Sequence, residues 1–250
     1  MAQLTDRVAL ITGAAGGIGR ITAHRLAEMG AAIATVDLDK QGASETAAGV
    51  AEQHGVPTLA VGVDVASSAD VERMREEVES KLGPVNVLVN AAGYLQLGTI
   101  LEVTEDDWDR MLAVNLKGVF LVTKAVLPGM LASDYGRIIN ISSLAGKMGG
   151  LLAGIHYGAS KGALLSFTKA LARDVGRFGV TANCVCPYPV ETEMIEAFSA
   201  EQRETMRALN PMQRLARPEE IAAAIGFLAS PGASFINAEM MDIDGGFTAD

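Results

Sequence analysis

Short, almost uninterrupted apolar runs alternate along this chain with longer segments in which apolar positions recur every three or four residues. Residues 7–12, 32–36, 58–63, 85–90, 137–141 and 180–185 predict strands, and 240–243 supplies a seventh. The runs VALIT, VNVLVN and RIINI lack polar alternation, the pattern of strands covered on both faces and hence parallel. Helices are predicted over 17–29, 67–82, 105–131 and 158–178. Strand and helix alternate from one end to the other, which builds βαβ units into a doubly wound parallel sheet of about seven strands. No linker, repeat or shift of composition divides the chain, so residues 1–250 are expected to form a single α/β domain.

Composition narrows the partners. The formal charge of −10 argues against nucleic acid or an anionic membrane surface. Cys184 and Cys186 stand two apart in a predicted strand and share a face, a geometry that suits packing and not a disulfide. His24, His54 and His156 are scattered, and no Cys/His cluster has metal-ligand spacing, so no metal is expected. With no signal-peptide pattern and no apolar run of ~18 residues, a soluble, cytoplasmic setting is the default expectation.

The first strand runs into Thr12-Gly13-Ala14-Ala15-Gly16-Gly17-Ile18-Gly19, which opens a helix. Glycines there permit a tight turn and a close backbone approach to a pyrophosphate, and the helix N-terminus offers N–H groups and a positive dipole end. The order is G-x-x-x-G-x-G, not the commoner G-x-G-x-x-G. Asp37, about 20 residues on at the end of the second strand, is placed to accept hydrogen bonds from an adenosine ribose and to repel a 2′-phosphate. That combination points to NAD on a Rossmann-type fold. Asp64-Val65 and Asn90-Ala91-Ala92-Gly93 close the third and fourth strands at the same edge.

The candidate chemistry lies further on. Tyr157 and Lys161 stand at i and i+4 of a predicted helix, so phenol and ammonium are neighbours. A nearby cation stabilises a phenolate and draws a tyrosine towards useful acid–base work. Taken alone, such a pair is usually just a helix face. Ser142-Ser143 follows RIINI at a strand's carboxyl end, and Asn115 interrupts an apolar helix stretch, where it can hold a local deviation.

Together TGAAGGIG, Asp37, Asp64-Val65, NAAG, Asn115, ISS, YxxxK and Asp244-Gly245-Gly246 resemble the short-chain dehydrogenase/reductase family over nearly the whole chain. The resemblance implies that Tyr157 is the general acid/base and that Ser143, in preference to Ser142, polarises the substrate carbonyl. It implies that Lys161 binds the nicotinamide ribose and lowers the Tyr157 pKa, while Asn115 holds a water of the proton relay. Gly13, Gly17, Ile18, Gly19, Asp37, Asp64, Val65, Asn90, Ala91, Gly93, Tyr157, Lys161, Pro187, Val190 and Thr192 would hold the cofactor. The sequence departs from the family pattern at Tyr188, where Gly is usual, and at Ala91, where a second Asn is common.

Substrate-facing candidates are Tyr94, Gln96, Leu152, His156, Tyr188 and Met194, within a lid of about residues 188–212 and neighbouring loops. Their apolar character favours a hydrophobic or cyclic alcohol or ketone. The reading is an NAD-dependent oxidoreductase that interconverts secondary alcohol and ketone, with a 3-oxoacyl-thioester reductase and a non-catalytic NAD-binding protein as alternatives. By family analogy the partner is a second, third and fourth copy of the chain, a homotetramer.

Overall fold

The computed structural model describes residues 3–133, 135–150 and 153–248. Seven parallel strands form one sheet: β1 (Val8–Thr12), β2 (Ala32–Asp37), β3 (Thr58–Gly62), β4 (Val85–Asn90), β5 (Gly136–Ile141), β6 (Val180–Pro187) and β7 (Met240–Ile243). Their order is β3-β2-β1-β4-β5-β6-β7, so the winding direction reverses between β1 and β4. Ligands of such sheets gather at that switch point, outside the strands' carboxyl ends.

Period-2 alternation serves both faces at once. Ala9, Ile11, Ile33, Val87, Val89 and Ile139 enter one core, packed beneath α1 (Gly17–Glu28), α2 (Lys40–His54) and α9 (Pro218–Ala229). Val8, Leu10, Val36, Leu88 and Ile138 enter the other, beneath α3 (Ser68–Lys81), α5 (Val119–Ala132) and α7 (Ile155–Val175). Each fully buried Val, Leu or Ile contributes roughly 1.5–3 kcal/mol against exposure, which is why the strands carry no polar face.

Two helices differ from expectation. The stretch predicted over 105–131 is three pieces: α4 (Glu105–Leu112), a π-helical segment Ala113–Gly118, and α5. The whole run Glu105–Ala132 is apolar and long enough to cross a membrane by length and composition. Here Met111, Val119, Val122, Val126 and Met130 are instead buried in the protein. The helix predicted from 158 begins at Ile155, because Gly154 serves as its extended N-cap. Tyr157 therefore sits in the first turn.

A chain of buried polar side chains crosses beneath the sheet. Asn90 Nδ2 donates to Asn140 Oδ1 (2.8 Å), Asn140 Nδ2 donates to Thr168 Oγ1 (2.8 Å), and Thr168 Oγ1 lies 3.1 Å from Cys184 Sγ. Each group is satisfied by the next, as burial demands. Cys184 and Cys186 are both buried and free.

Candidate active site

The glycine loop is built around Thr12. Its Oγ1 accepts from the main-chain N–H of Ala91 and of Ala92, both at 3.1 Å, and so ties the end of β1 to the turn after β4. Gly13 has φ +68°, and a Cβ there would lie 2.7 Å from Ala92 N. A Cβ on Gly19 would run into the Gly13 carbonyl. The N-cap of α1, Gly16, brings no side chain to the first-turn amides. Facing it is the Glu193 carboxylate, 3.5 Å from where a Gly16 Cβ would be, with the Thr192 methyl 3.3 Å from the same point on Gly17. An uncapped helix start with open backbone has the donor set that a pyrophosphate takes. The loop therefore fits a dinucleotide.

Asp37 stands beside it. Its Oδ2 accepts from Ala15 N (2.9 Å) and its Oδ1 from Asp39 N (3.0 Å), which fixes the carboxylate at the loop's rim. Arg20 donates to the Ala15 carbonyl from the other side. Asp64 is exposed and accepts from Ala66 N at 2.9 Å; Val65 is buried against Gly118 of the π segment. Asn90 does not face this edge with its side chain, which is engaged by Asn140 and Thr123 inside the fold. Only its backbone reaches the loop. Ala91 and Gly93 line the cavity described below, as do Ile18, Pro187, Val190 and Thr192.

At the carboxyl ends of β4, β5 and β6 opens a cavity of about 420 Å³, lined by Ser143, Tyr157, Lys161, Tyr188 and mostly apolar neighbours. Ser143 is the N-cap of α6 (Leu144–Met148) and accepts from Ala145 N at 3.1 Å. Ser142 is buried and donates to the Lys161 carbonyl (2.9 Å), which leaves Ser143 as the cavity serine whose hydroxyl proton is not given to the main chain. Gly146 lets α6 lie directly on α7: a Cβ there would be 2.7 Å from the Lys161 carbonyl carbon. That contact brings Ser143 and Tyr157 onto one wall.

Lys161 Nζ donates to Ile141 O at 2.8 Å and lies 5.8 Å from the Tyr157 ring centre. Burial pulls the Lys161 pKa down to about 8. The same burial pushes the Tyr157 phenol above its ordinary value, against a smaller opposing effect of its hydrogen bond with Ser143. The expected lowering of Tyr157 by the neighbouring ammonium is not seen in the protein by itself, where desolvation sets the direction.

Asn115 sits in the π segment, fully buried. Its Oδ1 accepts from Tyr94 N (2.7 Å), and its Nδ2 lies within bonding distance of Tyr94 O (2.9 Å), Met111 Sδ (3.0 Å) and Ser160 Oγ (3.1 Å). The side chain thus clamps the loop after β4 to α7, so a water relay would have to run through the main chain here. π turns recur at functional sites because they shift the hydrogen-bond register locally.

Of the substrate-facing candidates, Tyr188 and Met194 line the cavity, and Leu152 lies outside the described residues. Tyr94, Gln96 and His156 are not brought to it. Gln96 joins the Tyr94 hydroxyl (3.0 Å) to Asp107 (2.9 Å), so both are tied to α4. His156 is fully buried with neither ring nitrogen bonded within the protein, and burial pushes its pKa below the ordinary value against a smaller opposing effect of Asp107. The predicted lid is anchored at several points: Phe198, Met206 and Leu215 pack with Tyr188 and Leu144, and Asn210 Nδ2 donates to Asp244 O at 2.8 Å. Thr12, Glu193 and Phe247 escaped the sequence reading. Thr12 was legible as the hydroxyl preceding Gly13, whereas the other two reach the site only through tertiary packing. His24 and His54, distant in sequence, meet at 3.3 Å between α1 and α2.

Comparison with known proteins places these features in a wider set. The family model described as enoyl-(acyl carrier protein) reductase matches residues 13–248. A meso-2,3-butanediol dehydrogenase of Serratia marcescens is 39% identical, covering 99% of this chain and 96% of that protein. A 3-oxoacyl-[acyl-carrier-protein] reductase of Vibrio cholerae is 37% identical, covering 98% of each. A solved short-chain type dehydrogenase/reductase from Mycobacterium marinum superposes with a TM-score of 0.95 at 30% identity, covering 99% of this chain and 98% of that one.

Proposed function

Because this chain belongs to the short-chain dehydrogenase/reductase family, we propose that it is an NAD-dependent enzyme interconverting an apolar secondary alcohol and its ketone. The observation that carries the reading is the placing of Ser143, Tyr157 and Lys161 on one cavity that borders the glycine loop.

In this reading Gly13, Gly17, Ile18 and Gly19 hold the pyrophosphate, Asp37 the adenosine ribose, and Pro187, Val190 and Thr192 the nicotinamide end. The bound nicotinamide supplies or accepts the hydride. Ser143 donates to the substrate oxygen and holds the carbonyl in line. In reduction the Tyr157 hydroxyl gives its proton to that oxygen; in oxidation the phenolate takes the alcohol proton back. Lys161, already bonded to Ile141 O, turns its remaining donors to the ribose and its charge to the phenolate. Asn115 positions the Tyr94 loop above them. Residues 188–212 act as the substrate lid.

Two observations favour NAD over NADP and an alcohol over a thioester. The Asp37 carboxylate is held at the rim of the loop by Ala15 N, where a 2′-phosphate would meet like charge. Lys161 is the only charged side chain among the described residues lining the cavity, and the net charge of −10 discourages an acidic carrier. The test is nicotinamide absorbance with a panel of apolar secondary alcohols and ketones. Turnover with NAD at least tenfold above NADP, and its loss in Tyr157→Phe with cofactor binding retained, is the expected result. A clear preference for NADP overturns the Asp37 argument, and a fully active Tyr157→Phe overturns the mechanism.

A further inference from the structure

The cavity's hydroxyl groups are unequally committed. Ser142 donates to Lys161 O (2.9 Å), Thr205 to Glu201 O (2.9 Å), and Tyr188 to Met206 O (2.7 Å). All three line the cavity, yet each gives its proton to a main-chain carbonyl, and the Thr192 hydroxyl, at the proposed nicotinamide end, points to Val190 O at 3.5 Å. Ser143 and Tyr157, bonded to one another, give theirs to no main-chain carbonyl and form the pair left for the substrate oxygen. Away from the reacting carbonyl, a substrate therefore meets hydrocarbon and hydroxyls whose protons are already used. A second polar group on the substrate would be desolvated there without a donor to serve it.

Tyr188 is the centre of that apolar wall. Its main-chain N–H donates to Ile243 O (3.0 Å), fixing it at the end of β6 against β7. Its ring lies 5.0 Å from the Phe247 ring, tilted by 48°. Its hydroxyl reaches α8 (Ala200–Leu209), the lid helix, whose Met206 side chain packs into the same cluster. Burial pushes the phenol up, so it stays a neutral donor. The residue is held from three directions, its main chain by β7 and its side chain by the C-terminal segment and the lid.

Resting on the reading above, the geometry points to Tyr188 as a specificity-determining residue that limits the substrate to a compact ketone or alcohol with a single polar group. The ring sets the size limit. The hydroxyl latches the lid so that the limit does not relax when a larger molecule arrives.

The test is a series of methyl ketones of rising chain length, each with a matched hydroxyketone, reduced by the intact enzyme and by Y188A, Y188L and Y188F. Wild type should show a length beyond which kcat/KM falls, and should prefer each ketone to its hydroxylated partner. In Y188A, and to a smaller extent in Y188L, the limit should move to longer ketones, with the long-to-short ratio of kcat/KM rising at least about tenfold, the scale of a methylene in an apolar pocket. Y188F keeps the ring and loses only the latch, so its limit should move less than in Y188A or Y188L, while KM rises for every ketone. A limit that stays in place in a folded Y188A or Y188L overturns the proposal, as does one that moves equally in Y188F. Saturation-transfer NMR of the same ketones reads the size limit without turnover. Should wild type reduce none of them, the alcohol–ketone reading fails while the binding series still decides the role of Tyr188.

Discussion

At the scale of single residues, the site is governed by desolvation. Tyr157 and Lys161 are both buried, and burial drives each towards its neutral form. Lys161 titrates near 8 in the folded protein against an ordinary value of 10.5. Below pH 8 both folded and unfolded chains hold the proton, and the burial penalty is carried in full. Between the two values the unfolded chain binds more proton, so stability rises with pH. From pH 8 to 9 this group should add about 1 kcal/mol. Cys184 and Cys186, raised to about 11 and 12, act with opposite sign, but only above their ordinary 9.0. Urea titrations of cofactor-free wild type and Lys161→Met should therefore show the wild type gaining that amount relative to the variant across this interval. Equal pH slopes would mean Lys161 is not desolvated. The identities of Tyr157, Lys161 and Ser143 were legible because the chemistry demands those atoms at those spacings. Their pKa direction was not, since it depends on how much water the surrounding fold admits. For Asn90 the place at a strand end was readable, but the face its side chain takes was set by Asn140 on the neighbouring strand.

At the scale of elements, the loop-to-α1 turn is the least forgiving. Gly19 packs on the Gly13 carbonyl with no room for a methyl group. Gly19→Ala should lose NAD binding by at least tenfold in calorimetry and destabilise the fold by about 1–3 kcal/mol through overpacking. Unchanged affinity would show that the turn opens without harm. The seven strands were readable from their apolar runs and the alternation with helices followed, although α2, α8 and α9 were not among the helices expected. The π segment was not readable, because its apolar positions continue the periodicity of α4 and α5 without a break in composition. Only Asn115, polar in an apolar stretch, marked the place. The lid was readable as a segment but not as an anchored one, since Tyr188–Met206 and Asn210–Asp244 are contacts between residues far apart in sequence or hidden by the turn between them.

At the scale of the whole molecule, apolar surface remains after both cores are filled. Trp108 and Phe120 are partly exposed along the α4–α5 run, and Phe235 is fully exposed before β7. We propose that these faces meet in a homotetramer. Multi-angle light scattering at micromolar concentration should give four times the chain mass of 26.1 kDa, and a stable monomer would remove the proposal. The cavity has a further property that follows from where its walls lie along the chain. The glycine loop and Asp37 belong to the first strands to be made, whereas Phe247 and the Asp244 carbonyl that anchors Asn210 come after the last. During synthesis on the ribosome, the nucleotide half has all its side chains long before the substrate half has its final wall. A chain still attached at its C-terminal end thus has the residues proposed for the adenosine end of the cofactor while the far wall of its substrate cavity is still to come.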